Sequence, residues 1–467
     1  MFLDRCSRFS DCKGGPFDGP LRVPSWAPRV FGSRRAVQLD AEFGCYTDAA
    51  LSLNGVDQYA QKTSPTFAPT TKMTIAFDYK PTTTAAAQTV VARMASGTQN
   101  QFSVLVLSGG ALRIRISSDL TDTSNYTDTT ETLSNGTNAR IVIVYDGTLS
   151  AGSRLAVYIN GVAATLGITG TIPATLTTST DDLTVGTSGG GNFADGALAR
   201  LGFSSQALSG AALTAAHTST FWADMSAARQ ADWFSFYNLC EASGTRVDST
   251  GLNDLTAVNT PTVAAGPGEG RCVNNSPVKR WEDRSGNGRH LVQATIANQP
   301  IWRASILNGL GVVDFDGVSD YIAASGLLMG STYTCGALTE RSGSANRYLI
   351  GAGAAPGSVA LISRYADDFE FYGASPRITI AASGAAASGF HSVAFGGNSG
   401  GMATRFDGAA STTSATAAPT GDGDFTIGAP SGVASDYFDG QVSEVVLSTA
   451  YGASVLASLD SYLNAKR

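Results

Sequence analysis

The residues that could do chemistry in this chain are few and scattered. Three histidines are present, His217, His290 and His391. A Ser-His-Asp centre needs an imidazole held between a nucleophile and a carboxylate. His217 falls at a predicted helix end, His290 in a predicted hairpin and His391 at a predicted strand start, and none has a nucleophile elbow nearby. Glycoside hydrolysis needs two carboxylates flanking one bond. Glu282-Asp283 and Asp367-Asp368-Phe369-Glu370 are the nearest acidic clusters, and neither has the alternation that would set such a pair on one strand face. Gly186–Gly191 is followed by no Lys-Ser/Thr and reads as a loop, not a phosphate cradle. The reading is therefore non-enzymatic. Sugar binding asks for less, an aromatic platform beside polar groups. Asp436-Tyr437-Phe438 and Asn192-Phe193 offer that, with Phe193 and Phe438 expected to turn into the core.

The six cysteines, Cys6, Cys12, Cys45, Cys240, Cys272 and Cys335, are too dispersed for a disulfide framework or a zinc site. Cys240 and Cys335 read as buried thiols. Cys6, Cys12 and Cys45 lie in or near one N-terminal stretch and could bridge in an oxidising exterior. That stretch, residues 1–35, carries Arg5, Arg8, Lys13, Arg22, Arg29, Arg34 and Arg35 against three aspartates. Its Gly and Pro content speaks against a regular element, so the stretch reads either as a disordered tail or as an extended basic arm that orders on an acidic partner protein. The whole chain has a formal charge of −7, which argues against nucleic acid or an anionic membrane as partner. No run approaches the roughly 18–20 apolar residues of a membrane span. The first residues lack an apolar stretch of signal-peptide length.

Positioning falls to strands. Hydrophobic residues make up 43% and charged residues 15% of the 467, enough apolar material for two cores. Short Val/Ile/Thr/aromatic runs, punctuated by Gly, Asn and Asp, indicate antiparallel β structure. The segment Ala50–Ala60, a hydrophobic strand followed by Asn54-Gly55-Val56 and Tyr59, is echoed at Gly311–Ile322, with Asp316-Gly317-Val318 and Tyr321, so one domain type occurs twice. Each copy continues through strands at 8–12-residue spacing. The first closes on predicted helices at Ala207–His217, with Ser209 as N-cap, and at Phe221–Phe234, where Trp222, Met225 and Arg229 form a stripe. The second closes on a helix at Ala453–Ala465. Asp248-Ser-Thr-Gly and Asp283-Arg-Ser-Gly each precede a strand-opening Leu, giving two opening hairpins. The expected division is an arm at 1–35, a sandwich at 36–235, a linker at 236–274 folding back onto the first sandwich as its edge, and a second sandwich at 275–467.

Asp316–Tyr321, its degenerate copy Asn54–Tyr59, the hairpin Tyr158–Val162, and the final strands opening Asp195-Gly196 and Asp439-Gly440 together resemble the concanavalin A-like lectin/glucanase superfamily, in its laminin-G-like jelly-roll form. The resemblance covers about residues 36–220 and 275–467. It implies two tandem all-β antiparallel sandwiches. Glucanases of the superfamily use a Glu-x-Asp-x-x-Glu strand, which this chain lacks. Laminin-G-like modules hold calcium with late-loop Asx residues, here Asn192 and Asp195 or Asp436 and Asp439; no other cofactor is implied. Asn192, Asp195, Asp436 and Tyr437 form the candidate ligand set. The introducers Glu241-x-Ser-Gly-Thr-Arg-x-Asp and Trp281-x-Asp-x-Ser-Gly-Asn-Gly look like those of tailed-phage structural proteins. The implied role is a virion surface protein, a capsid decoration, head-fibre or tail-associated component, present in many copies or as a homo-oligomer. Its arm (Arg5, Arg8, Arg22, Arg29, Arg34, Arg35) would dock on virion proteins and its sandwiches would meet host glycans. The alternative is a secreted or cell-surface carbohydrate-binding module.

Overall fold

In the computed structural model, the described residues are 35–41, 45–66, 70–94, 100–120, 124–176, 181–218, 220–285, 287–327, 329–342, 347–352, 359–363, 369–372, 378–380, 389–420, 424–430 and 436–467. They form two antiparallel sandwiches with separate interiors. One interior gathers Phe77, Phe102, Ile114, Ile143, Leu198 and Phe203; the other gathers Trp281, Phe315, Tyr333, Phe395, Phe425 and Val445. Alternation decides this sorting. Leu112, Ile114 and Ile116 point inward from one strand while Arg113 and Arg115 point the other way.

In the first sandwich one sheet runs Leu155–Ile159, Ala139–Asp146, Lys72–Pro81, Asp195–Ser204, Cys45–Asn54. The facing sheet runs Leu166–Thr169, Tyr126–Thr132, Ala111–Leu120, Asn100–Val106, Gln88–Met94, Leu183–Val185, Tyr59–Lys62, Thr256–Val258. The stretch after residue 234 completes this body. Ser235–Tyr237 pairs with Asp195–Ser204, Thr256–Val258 with Tyr59–Lys62, and Thr262–Arg271 with Cys45–Asn54.

The second sandwich repeats the plan with its opening elements in a different chain order. Its Asp439–Ser448 strand is flanked by Arg35–Asp40, Leu39 opposite Val445. Residues 36–40 therefore lie on the second body, where a boundary drawn at residue 36 assigned them to the first. The hydrogen bonds of the two openings match: Phe236 N donates to Asp248 Oδ1 at 3.0 Å, and Gln38 N donates to Asp283 Oδ1 at 3.0 Å. Both aspartates also take the N–H two residues on, from Thr250 and Ser285, which is the Asx-turn chemistry of their motif. One opening is contiguous and the other is split across the chain. The first sandwich is thus inserted between the first strand of the second and its remainder. Cys45–Asn54 bridges the two bodies, pairing at Tyr46 with Arg280.

Helices cover the outer faces. Gly210–Ala216 packs over Val142 and Phe236, and Ser209 precedes it without a side-chain cap bond. The single helix expected at 221–234 is instead a 3-10 turn, Trp222–Asp224, and a short helix, Ala227–Gln230. Met225 is extended between them, at φ −81° and ψ 144°, and Ser226 restarts the helix by accepting the Arg229 N–H. Ala453–Asn464 covers the second body through Leu456, Leu459 and Leu463.

Candidate functional site

Each sandwich carries a rim built by the same contacts. In the first, Asn54 Oδ1 accepts the N–H groups of Val56, Asp57 and Gln58. In the second, Asp316 Oδ1 accepts those of Val318, Ser319 and Asp320. The glycine after each has φ +70°. A Cβ on Gly55 would lie 2.8 Å from Asp195 Cβ, and one on Gly317 would lie 2.7 Å from Asp439 Cβ. Only glycine allows the turn to press on the late-loop aspartate. Gly55 N donates to Ala194 O and Gly317 N to Phe438 O. Asn192 and Asp436 both adopt left-handed backbone, φ +50° and +54°. Their carbonyls accept Thr89 N at 2.7 Å and Tyr348 N at 3.0 Å.

The exposed surface of the rims is repeated too. Tyr59 and Phe193 form a tilted pair with centroids 6.2 Å apart, and Tyr321 and Tyr437 form its counterpart at 6.3 Å. All four rings are half-buried, with Asn192 or Asp436 exposed alongside. Val56 and Val318 stand 68% and 73% exposed at the turn tips, so each rim offers an apolar point beside an aromatic pair and an Asx side chain. Phe438 turns into the core, 6.1 Å from Phe315. Phe193, expected there as well, stays on the rim because Ala194 takes the inward position. The structure places Asn192 and Asp195 with Tyr59 and Phe193, and Asp436 with Tyr321 and Tyr437, on different sandwiches. Arg35 opens a strand of the second body. Arg5, Arg8, Arg22, Arg29 and Arg34 lie outside the described residues, as do Cys6 and Cys12.

The turn carboxylate of Asp316 and the Asn54 amide are spent on backbone N–H groups, and burial raises the Asp439 carboxyl above its usual range. No cluster of three metal-ligating side chains occurs among the described residues. The histidines are engaged in structure: His217 packs at a tilt against Tyr158 with ring centroids 4.8 Å apart, His290 Nδ1 accepts Asp283 N, and His391 Nδ1 meets Asp407 at 2.8 Å.

A second polar surface went unread in the sequence. On the outer face of the first sandwich, Arg113 lies 3.9 Å above the Tyr126 ring and grips Asp128 with bonds of 2.8 and 2.7 Å. Arg115 lies opposite Ser103, which lies opposite Ala92, which lies opposite Thr184. Arg115 Nε, Ser103 Oγ and Thr89 Oγ1 are buried and have no hydrogen-bond partner among the described residues. The signal available was the Arg-Ile-Arg-Ile alternation at 113–116, which reads equally well as a solvated strand face. Tyr59 and Tyr321 also stood in the repeated motif, where they read as part of a turn signature.

Residues 54–214 match the family model described as the concanavalin A-like lectin/glucanases superfamily. This segment is similar to concanavalin A-like domains. Among solved structures, the chain is similar to a native heptameric SAP-like pentraxin from Limulus polyphemus (17% identity, 49% of this chain and 97% of that one, TM-score 0.32). It is also similar to domains LG4-5 of the mouse laminin α1 chain (12% identity, 92% and 93% covered, TM-score 0.27). A third is the CBM40 of a Ruminococcus gnavus sialidase bound to α2,3 sialyllactose (13% identity, 40% and 100% covered, TM-score 0.29). No curated protein matches the sequence. The second body repeats the rim contacts of the first, so the two sandwiches share one plan.

Proposed function

We propose that this is a non-catalytic, glycan-binding surface protein that uses its two concanavalin A-like rims as aromatic platforms. The observation that carries the reading is the doubling of the rim: aromatic pair, Asx side chain and exposed valine recur in both copies. Ring faces pack on the apolar faces of sugar rings while the Asx groups hydrogen-bond hydroxyls. A glycan array probed with the full chain tests this. Tyr437→Ala and Phe193→Ala, which leave the cores intact, are expected to lower binding about tenfold each, ~1.4 kcal/mol. Equal signal from the double variant and the parent on every bound glycan would refute it.

As its setting we propose the surface of a tailed-phage virion, with many copies held by the basic arm. Supporting this is the polarity of the second sandwich. Asp439 lies at the rim end of a ten-residue strand, and Arg35 pairs with Ser448 at the other, about 30 Å away. The arm therefore leaves from the end that a docked molecule would turn toward its particle. Deleting residues 1–34 should abolish particle association without changing glycan binding; undiminished attachment in a pull-down with particles would dismiss the arm's role.

A further inference from the structure

The chain passes from the second sandwich into the first at Cys45 and comes back at Cys272. These two residues are cross-strand neighbours. Tyr46 lies opposite Arg271, and one step further Cys272 N donates to Cys45 O at 3.0 Å. Both are free thiols, Cys45 buried and Cys272 half-buried, and Cys272 packs against the core that contains Cys45 and Trp281. On its other side Cys45 pairs with Trp281. The side chains thus meet at the neck between the two bodies, where the departing and returning segments run side by side.

We propose that Cys45 and Cys272 form a disulfide under oxidising conditions, a covalent staple that closes the neck of the inserted sandwich. The oxidant is a small-molecule disulfide such as oxidised glutathione. The more accessible Cys272 thiolate attacks it, forming a mixed disulfide and releasing one glutathione thiolate. The Cys45 thiolate then attacks Cys272 Sγ and releases the second. The protein loses two electrons and two protons, and one oxidised glutathione becomes two reduced molecules. Burial, and after it the neighbouring thiol of Cys45, push the Cys272 thiol well up, so the reaction is slow at neutral pH and quickens in alkali. The pairing differs from the N-terminal bridging that sequence proximity of Cys6, Cys12 and Cys45 suggested. Closing a loop that spans the whole inserted domain removes conformational freedom from the unfolded chain.

Treating the full-length protein with oxidised glutathione, blocking residual thiols by alkylation and digesting without reductant tests the staple. The expected map links the Cys45 peptide to the Cys272 peptide, and the oxidised protein melts about 5 °C above the reduced one. That gain should vanish in Cys272→Ser, or in Cys272→Ala if the serine variant fails to fold. Recovery of both residues alkylated, of a persistent glutathione adduct on Cys272, or of either residue linked to Cys6, Cys12 or Cys240 would overturn the proposal.

Discussion

Asp320 sits beneath the second rim, 6% exposed, and exchanges hydrogen bonds with Asp316 in both directions. Burial first, then the charges of Asp316 and Asp314, push its carboxyl up to about 7. The folded protein therefore keeps a proton that the unfolded chain gives up near the ordinary aspartate value. Stability contributed this way is present in acid and declines as pH rises toward 7. At the matching place in the first rim stands neutral Gln58, whose N–H makes the same bond to Asn54. Asp320→Asn should abolish the decline, raising the melting temperature by about 3 °C at pH 8 and leaving it unraised at pH 4. Parallel pH profiles for parent and variant in calorimetry would contradict this.

At the scale of elements, the equivalent position of the two final strands carries opposite charges. Arg200, left-handed at φ +50°, donates to Asp78 at 3.0 Å, and Arg140 donates to the same oxygen at 3.2 Å. Arg140 also donates to Ala216 O at 2.9 Å, tying the first sandwich to its covering helix. In the second, buried Glu444 accepts bonds from Gln38 at 3.0 Å, from Tyr462 at 2.5 Å and from Lys466, which also meets Asp40 at 3.2 Å. The N-terminal strand and C-terminal helix are thus fastened through one carboxylate. Lys466→Met would leave Glu444 buried with its cation removed. A loss of about 3 kcal/mol is expected, mostly recovered in the Lys466→Met/Glu444→Gln double variant, as measured by urea unfolding. Additive losses in the two single variants would count against the coupling.

At the scale of the molecule, insertion makes the two sandwiches unequal. Residues 45–271 contain every strand of the first, including its closing hairpin. Residues 272–467 lack Arg35–Asp40 and therefore leave the 444–448 half of one edge of Asp439–Ser448 open, the other half staying paired with Leu310–Asp316. They also lose Leu39, Ala41 and Cys45 from the core, and an open apolar edge invites aggregation. The 45–271 fragment is expected to unfold in one cooperative transition when expressed alone. The 272–467 fragment should stay aggregated or molten until a peptide spanning 35–45 is supplied. A monomeric 272–467 with sharp cooperative melting would show that the first strand is dispensable.

The sequence by itself determined the fold class, the doubling and the rim motifs. Alternating side chains fix which face of a strand is buried, and Asx-Gly turns fix their own local hydrogen bonds, so both are written in contiguous residues. The two opening hairpins were legible for the same reason, through Asp248 and Asp283. The order in which those openings serve the two sandwiches was decided only in three dimensions. Arg35–Asp40 is short, and its partners Asp283 and Glu444 lie hundreds of positions away, so no local pattern distinguishes one acceptor sheet from the other. The aromatic pairs were half-legible: Tyr437 declared itself beside Asp436, while Tyr59 and Tyr321 join the rims only because the turn folds back on the late loop. Cys45 and Cys272 lie far apart along the chain, and the pairing of the Cys45–Asn54 and Thr262–Arg271 strands is what sets them side by side.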